Sequence, residues 1–189
     1  SHMQKKRCDW GTSDPLMMRY HDTEWGRPVH DERKLFEFLL LEGFQAGLSW
    51  STILKKRENF RKAFSGFDYK KIARYTAKDI ARLMKDAGII RNHLKIHAAV
   101  TNARAFLKTQ KEYGSFDRYI WSFVKNKPIV NKWKHIRQLP ASTKLSDTVS
   151  ADLKKHGFKF VGTTIVYAHM QATGMVNDHL TYCFRYPRK

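Results

Sequence analysis

The chain has 189 residues, with 42% hydrophobic and 13% aromatic content; that is enough to bury one core and excludes a disordered polymer. Thirty-six Lys and Arg against 17 Asp and Glu leave a formal charge of +19, which points to a polyanionic partner, because every phosphate that a cation neutralises releases condensed counterions. No apolar run approaches the roughly 20 residues that cross a bilayer, and no signal-type segment is visible, so the expectation is a soluble, cytoplasmic monomer with no membrane partner.

Ser1-His2-Met3 reads as the remnant of an expression tag, leaving 4–189 as a single domain. In chain order, Leu35, Phe36, Leu39 and Leu40 form one stripe at helical spacing and predict a helix over 33–42. Ser49 is placed to cap a second helix whose apolar face runs Trp50, Ile53, Leu54, Phe60 and Phe64. Thr76 and Asp79 have capping-box spacing, Tyr75 and Ile80 form a staple, and Gly88 is the expected stop. A long helix over 92–113 turns Ile96, Val100, Ala103 and Leu107 inward, and a shorter one covers 116–124. The stretch 126–144, with Pro128 and Pro140, is loop-rich; its basic run Lys132–Arg137 is either a nucleic-acid contact or solvated surface. Ser146 opens a helix that Gly157 stops. No strand alternation stands out, so the fold class is all-α.

Three local patterns carry chemistry. First, only Phe158, Lys159, Phe160 and Val161 separate Gly157 from Gly162, after which another helix starts. Two glycines allow a sharp turn, the apolar residues anchor it, and the free N–H groups around Gly162, Thr163 and Thr164 suit a phosphate. This is a helix-hairpin-helix arrangement over about 146–173, flanked by Lys154, Lys155 and Lys159. Second, Cys8 and His21 near one end, with His179 and Cys183 near the other, make a Cys₂His₂ set suited to tetrahedral Zn²⁺ in a closed, structural site. A Cys8–Cys183 disulfide is the competing reading. Third, Glu42 sits between Leu39-Leu40-Leu41 and "GFQAGLSW", where Gly43 and Gly47 allow close backbone approach. A carboxylate among apolar walls either has a raised pKa or meets a cation. Together with the rings of Tyr20, Trp25 and Trp50 it suits a flat, positively charged heterocycle.

The stretches "RCDWGTSDP", "YHDTEWGRP", "LEGFQAGLSWSTILKKRENFRKAF", "DAGIIRN", "WSFV" and "KHGFKFVGTTIVYAHMQATGMVNDH", in this order, resemble the 3-methyladenine DNA glycosylase I (Tag-type) family over essentially the whole chain after the tag. The resemblance implies a two-lobed helical fold of the helix-hairpin-helix glycosylase superfamily, with a base pocket between the lobes. It implies zinc ligation by Cys8, His21, His179 and Cys183, a site that joins the terminal segments. It makes Glu42 the residue that hydrogen-bonds the methylated adenine and surrounds the base with Tyr20, Trp25 and Trp50. Leu48 takes the position of the wedge that enters the duplex, and Gly157, Lys159, Gly162, Thr163 and Thr164 hold the backbone of double-stranded alkylated DNA. Met17 stands where well-known relatives carry a pocket tyrosine, so a stacking face and a hydroxyl are replaced by a polarizable thioether. The implied reaction is hydrolytic release of 3-methyladenine without strand cleavage, since no lysine stands where a Schiff-base nucleophile is needed. Asp178, beside His179, is either a catalytic carboxylate or a support for the metal ligand. The alternatives are a non-catalytic sensor of alkylated DNA and, ranked last because most aromatics lie on inward helical stripes, a basic protein that binds single-stranded RNA.

Overall fold

The structure, a computed structural model, describes residues 5–188; the tag remnant at 1–3 lies outside them. The helices, in chain order, are α1 (Pro15–Thr23), α2 (Glu32–Gln45), α3 (Trp50–Lys55), α4 (Arg57–Ala63), α5 (Tyr69–Ile72), α6 (Ala77–Met84), α7 (His93–Tyr113), α8 (Phe116–Trp121), α9 (Lys144–Lys155) and α10 (Thr163–Ala172). No described helix is long and apolar enough to cross a membrane.

Two short strands, β1 (Ile129–Val130) and β2 (Val176–Asn177), pair in parallel, which corrects the strandless expectation. Two residues a side leave no alternation to read in the sequence. Their role is to fasten the 126–144 stretch to the segment that follows α10.

The boundaries move for local reasons. Helix α2 runs three residues past the expected 42, so Gly43 lies inside the helix and only Gly47, at φ 82°, makes the following turn. The expected helix from Trp50 to Phe64 breaks at Lys56 into α3 and α4. The break aims Arg57 at two acids: its Nε donates to Glu37 at 2.7 Å and its terminal nitrogens to Glu24 at 2.8 and 2.9 Å. Helix α6 stops at Met84 rather than Gly88, because the Asp86 side chain accepts from Gly88 N at 2.8 Å and closes a turn of its own. Helix α9 starts before Ser146: Thr143 is its N-cap, and Ser146 completes a reciprocal box from the third position.

The core sits around α2, which packs on α3, α7, α8 and α10. Every residue from Leu35 to Phe44 is buried. Phe36, Phe44, Phe60, Phe64, Phe106, Phe116 and Tyr167 are among the largest side chains of the main cluster, and each contributes on the order of 1.5–3 kcal/mol by leaving water. A helix enclosed on all sides has no solvent face. That is why Glu42, at 3% exposure, is inside the protein despite its charge.

Candidate active site

Where the end of α2 meets α1, α3 and α10, a cleft of about 300 Å³ opens. Met17 and Tyr20 of α1, Trp25, Glu42 of α2 and Trp50 of α3 line it, so all five residues expected to hold the base come together. Trp10, Gln45, Leu139, Ala168 and Gln171 complete the walls. Sequence reasoning missed these, although Trp10, Gln45, Ala168 and Gln171 all stand inside quoted motifs and only Leu139 lies outside them. The rings of Tyr20 and Trp50 lie 5.5 Å apart at 46°, and Trp10 meets Trp25 edge-on at 4.9 Å.

Two buried polar atoms in this cleft have no hydrogen-bond partner among the described residues: Glu42 Oε2 and Trp50 Nε1. Burial alone pushes the Glu42 carboxyl up to about 8, which keeps it neutral at pH 7 in the free protein. Leaving such groups unpaired costs about 1–3 kcal/mol each. The cleft is therefore built for a ligand that offers hydrogen-bond partners and, to the carboxylate, positive charge.

Leu48 stands at the rim, 38% exposed, in a turn closed by its own N–H to Gln45 O at 2.7 Å and by Gln45 Nε2 to Leu48 O at 3.0 Å. Of the turn from α9 to α10, Phe158 and Val161 are buried, whereas Phe160, expected to anchor it, is 38% exposed. The reason is backbone shape: Gly157 takes φ 91° and Phe160 φ 54°, and the second left-handed residue turns its side chain outward. Gly162 has an ordinary φ of −60° and is the uncapped N-cap of α10. A side chain added there would meet nothing within 4 Å, so glycine at this point keeps the backbone N–H groups open to approach. Lys159 and Thr164 are exposed. The Thr163 hydroxyl is engaged with Ser146 Oγ at 2.7 Å, which leaves its amide, the group expected to face a phosphate, as its available donor.

Behind the cleft, the sulfurs of Cys8 and Cys183 and a ring nitrogen of His21 all lie within 4.8 Å of one another. The two cysteines are free, against the disulfide alternative. His21 Nδ1 is 2.8 Å from Asp22, which Arg7 holds at 2.9 Å. This leaves His21 Nε2 facing Cys183 Sγ at 3.3 Å. Backbone N–H groups of Leu180 and Arg185 point at the two sulfurs. A hydrogen bond from the Cys8 thiol holds Cys183 well below the ordinary thiol value and keeps Cys8 above it. His179 is not within the three-residue group, but its ring is 5.0 Å from that of His21. Its Nδ1 is occupied by Asn177 at 3.0 Å, and its Nε2 is buried with no partner among the described residues. Burial lowers the His179 pKa to about 3, so that nitrogen carries a lone pair. A Cβ at Gly11 would come within 2.7 Å of the His21 ring and one at Gly26 within 2.7 Å of the His179 ring; both glycines make room for the imidazoles.

Asp178 is fully buried and engaged on every side by the protein itself. It accepts from Asn131 at 2.7 Å, Trp133 at 2.9 Å, Gln171 at 3.0 Å and the hydroxyl of Tyr167. These four bonds fasten the 131–133 loop to α10, and through Gln171 to the cleft wall. None of the four reaches His179, whose Nδ1 is held by Asn177 instead, so Asp178 braces the fold rather than the metal ligand, and its two oxygens are already occupied by protein donors.

A strongly basic helical body with one acid in an aromatic cleft and a buried Cys-His group behind it defines a class of proteins whose site suits a flat, electron-poor ligand. The profile of the methyladenine glycosylase family matches residues 10–186, and the chain belongs to that family. It is 52% identical over 182 residues to DNA-3-methyladenine glycosylase 1 of Escherichia coli (strain K12), covering 96% of this chain and 97% of that protein. A crystal structure of 3-methyladenine DNA glycosylase I superposes with a TM-score of 0.94 at 52% identity, over 96% of this chain and all of that one. A tyrosine-to-phenylalanine variant of a 3-methyladenine DNA glycosylase I, solved in complex with 3-methyladenine, superposes at 0.93 with 40% identity, over 96% and 98% of the two chains.

Proposed function

We propose that this protein excises 3-methyladenine from alkylated double-stranded DNA, hydrolysing the N-glycosidic bond to leave an abasic site in an uncut strand. The observation that carries the reading is the buried, unpartnered carboxyl oxygen of Glu42 within the aromatic cleft. The family membership and the 3-methyladenine complex of a related structure support it.

Alkylation at N3 makes the adenine cationic and its bond to C1′ weak. The base is unreachable inside the duplex, so it must be extruded at a cost of a few kcal/mol, with Leu48 filling the gap it leaves. The α9–turn–α10 unit acts as a helix-hairpin-helix grip on the phosphates. In the cleft, the cation draws Glu42 into its ionised form, and the carboxylate and the rings of Tyr20 and Trp50 hold the base. When the C1′–N9 bond breaks, its electron pair leaves with the base, which departs neutral. The positive charge passes to the sugar, water adds at C1′ and loses a proton to solvent. Among the described residues no lysine lines the cleft, which supports hydrolysis without a covalent enzyme–DNA intermediate.

Incubation with methylated duplex DNA, followed by chromatography of the released bases, tests the reading. Free 3-methyladenine and strands that break only after alkali are expected. Tight binding to methylated DNA with no base released would instead identify a non-catalytic sensor.

The residues present fit a structural Zn²⁺ held by Cys8, His21, Cys183 and His179. The orphaned, neutral Nε2 of His179 and the two backbone N–H groups aimed at sulfur are what such a site requires. The ion would supply cross-linking only, since four protein ligands leave no position for a reacting water.

Met17 is buried in the cleft wall and gives a direct test of base selection. Met17→Tyr restores a flat face and is expected to tighten free 3-methyladenine binding by roughly 0.5–1.5 kcal/mol, the range for an added aromatic pair. Titration of the cleft tryptophans' fluorescence reads this out.

A further inference from the structure

Helix α7 carries three buried polar side chains outside the cleft, spaced two turns apart on one face: Thr109 bonds back to Ala105 O of its own helix, whereas Lys95 and Asn102 reach other segments. Lys95 Nζ donates to Phe44 O at 2.9 Å and Ala46 O at 2.7 Å, the carbonyls where α2 ends and the Leu48 turn begins. Asn102 grips one residue of the α9–α10 turn from both sides: its Nδ2 donates to Lys159 O at 3.0 Å and its Oδ1 accepts from Lys159 N at 2.7 Å. Between these two holds, the outward-turned Phe160 still borders α2 through its Cβ, 3.8 Å from where a side chain on Gly43 would begin.

A helix C-terminus does not need a buried cation. Water satisfies such carbonyls wherever they face solvent, and burial lowers the Lys95 pKa, a sign that the ammonium is held there at a cost. What Lys95 gives in return is a fixed exit direction for the chain toward Leu48. Asn102 does the same for the turn that carries Lys159.

We propose that Lys95 and Asn102 are positioning residues for base extrusion, with α7 as a rigid bar that sets the distance and angle between the Leu48 wedge and the phosphate-gripping turn. The proposal rests on the glycosylase reading of those two loops. A wedge displaced relative to the phosphate grip enters the stack at the wrong step, although the cleft itself is intact.

Lys95→Met keeps the aliphatic stem and deletes the two hydrogen bonds; Asn102→Asp keeps the acceptor for Lys159 N–H and deletes the donor. For Lys95→Met, kcat/KM on methylated duplex is expected to fall on the order of tenfold or more, the scale of a small misplacement of reacting groups. A smaller loss is expected for Asn102→Asp. Affinity for free 3-methyladenine, read from tryptophan fluorescence, should stay at the wild-type value in both. Unchanged duplex excision in both variants would overturn the proposal. So would a parallel loss of excision and free-base affinity, which marks a general packing role. If Lys95→Met does not fold, Asn102→Asp decides alone by the same two readouts. Wild-type protein that releases no base from the duplex defeats the glycosylase reading itself, and this proposal with it, before either variant is considered.

Discussion

Replacing Glu42 by glutamine is expected to lower kcat/KM for 3-methyladenine release by roughly 100- to 1000-fold, the range for deleting one preorganised electrostatic group, and at the same time to stabilise the free protein. Both effects follow from one fact, the burial of a carboxyl group with an unpartnered oxygen. The glutamine keeps the shape but carries no negative charge for the cationic base or the developing sugar cation. Glu42→Ala should lose at least as much activity.

The stability effect has a defined pH window. The carboxyl titrates near 4.5 in the unfolded chain and at about 8 in the folded protein, so the native state holds the extra proton between those values. Stability from this group is fully present below the unfolded pKa and is lost as pH rises through the folded one. Glu42→Gln removes the dependence. Its melting temperature should match wild type near pH 4 and exceed it increasingly toward pH 8, where the gain reaches on the order of 4 kcal/mol of stability, at about 1.4 kcal/mol per pH unit between the two values. Full excision activity in both Glu42 variants would remove this residue from the catalytic account.

Changing Cys183 to serine is expected to abolish zinc binding and to lower the melting temperature by roughly 6–20 °C, taking roughly 3–5 kcal/mol for a lost metal link and about 2–4 °C per kcal/mol at this chain length. Cys183 and Cys8 are contributed by opposite ends of the chain, and Leu180 packs with them in a small separate cluster. The side chains packed against that cluster, Trp10, Trp133, Ile136, Leu139 and Phe184, are only partly buried. The consequence reaches the cleft, because His21 follows Tyr20 directly and the His179 ring meets Trp25 edge-on at 4.8 Å. Weaker binding of free 3-methyladenine after chelation is therefore expected as well. Elemental analysis of the purified protein should find one zinc per chain. A metal-free protein whose melting is indifferent to chelator would sink the assignment.

Glu42 shows how far the sequence reaches. Three leucines before it and two glycines after it mark it as out of place, and the motif around it names a ligand. What the sequence does not show is that α2 passes through the middle of the protein with neighbours on all sides, which turns an odd charge into a buried one. The long α7 and the caps at Ser49 and Thr76 were legible because stripe and cap are local patterns. The break at Lys56 was not, since it serves Arg57's pairing with Glu24 and Glu37, acids 33 and 20 positions away.

The division has a physical basis. Helix periodicity, charge balance and the glycines of the turns are short-range properties, so the sequence alone determined a basic, helical protein with an acid-and-aromatic motif and two Cys-His pairs. Contacts between residues far apart in the chain are set by packing. Only the tertiary structure brought Trp10, Leu139 and Gln171 to the cleft, gathered Cys8, His21 and Cys183, and fixed Lys95 and Asn102 under the Leu48 turn and the turn between α9 and α10.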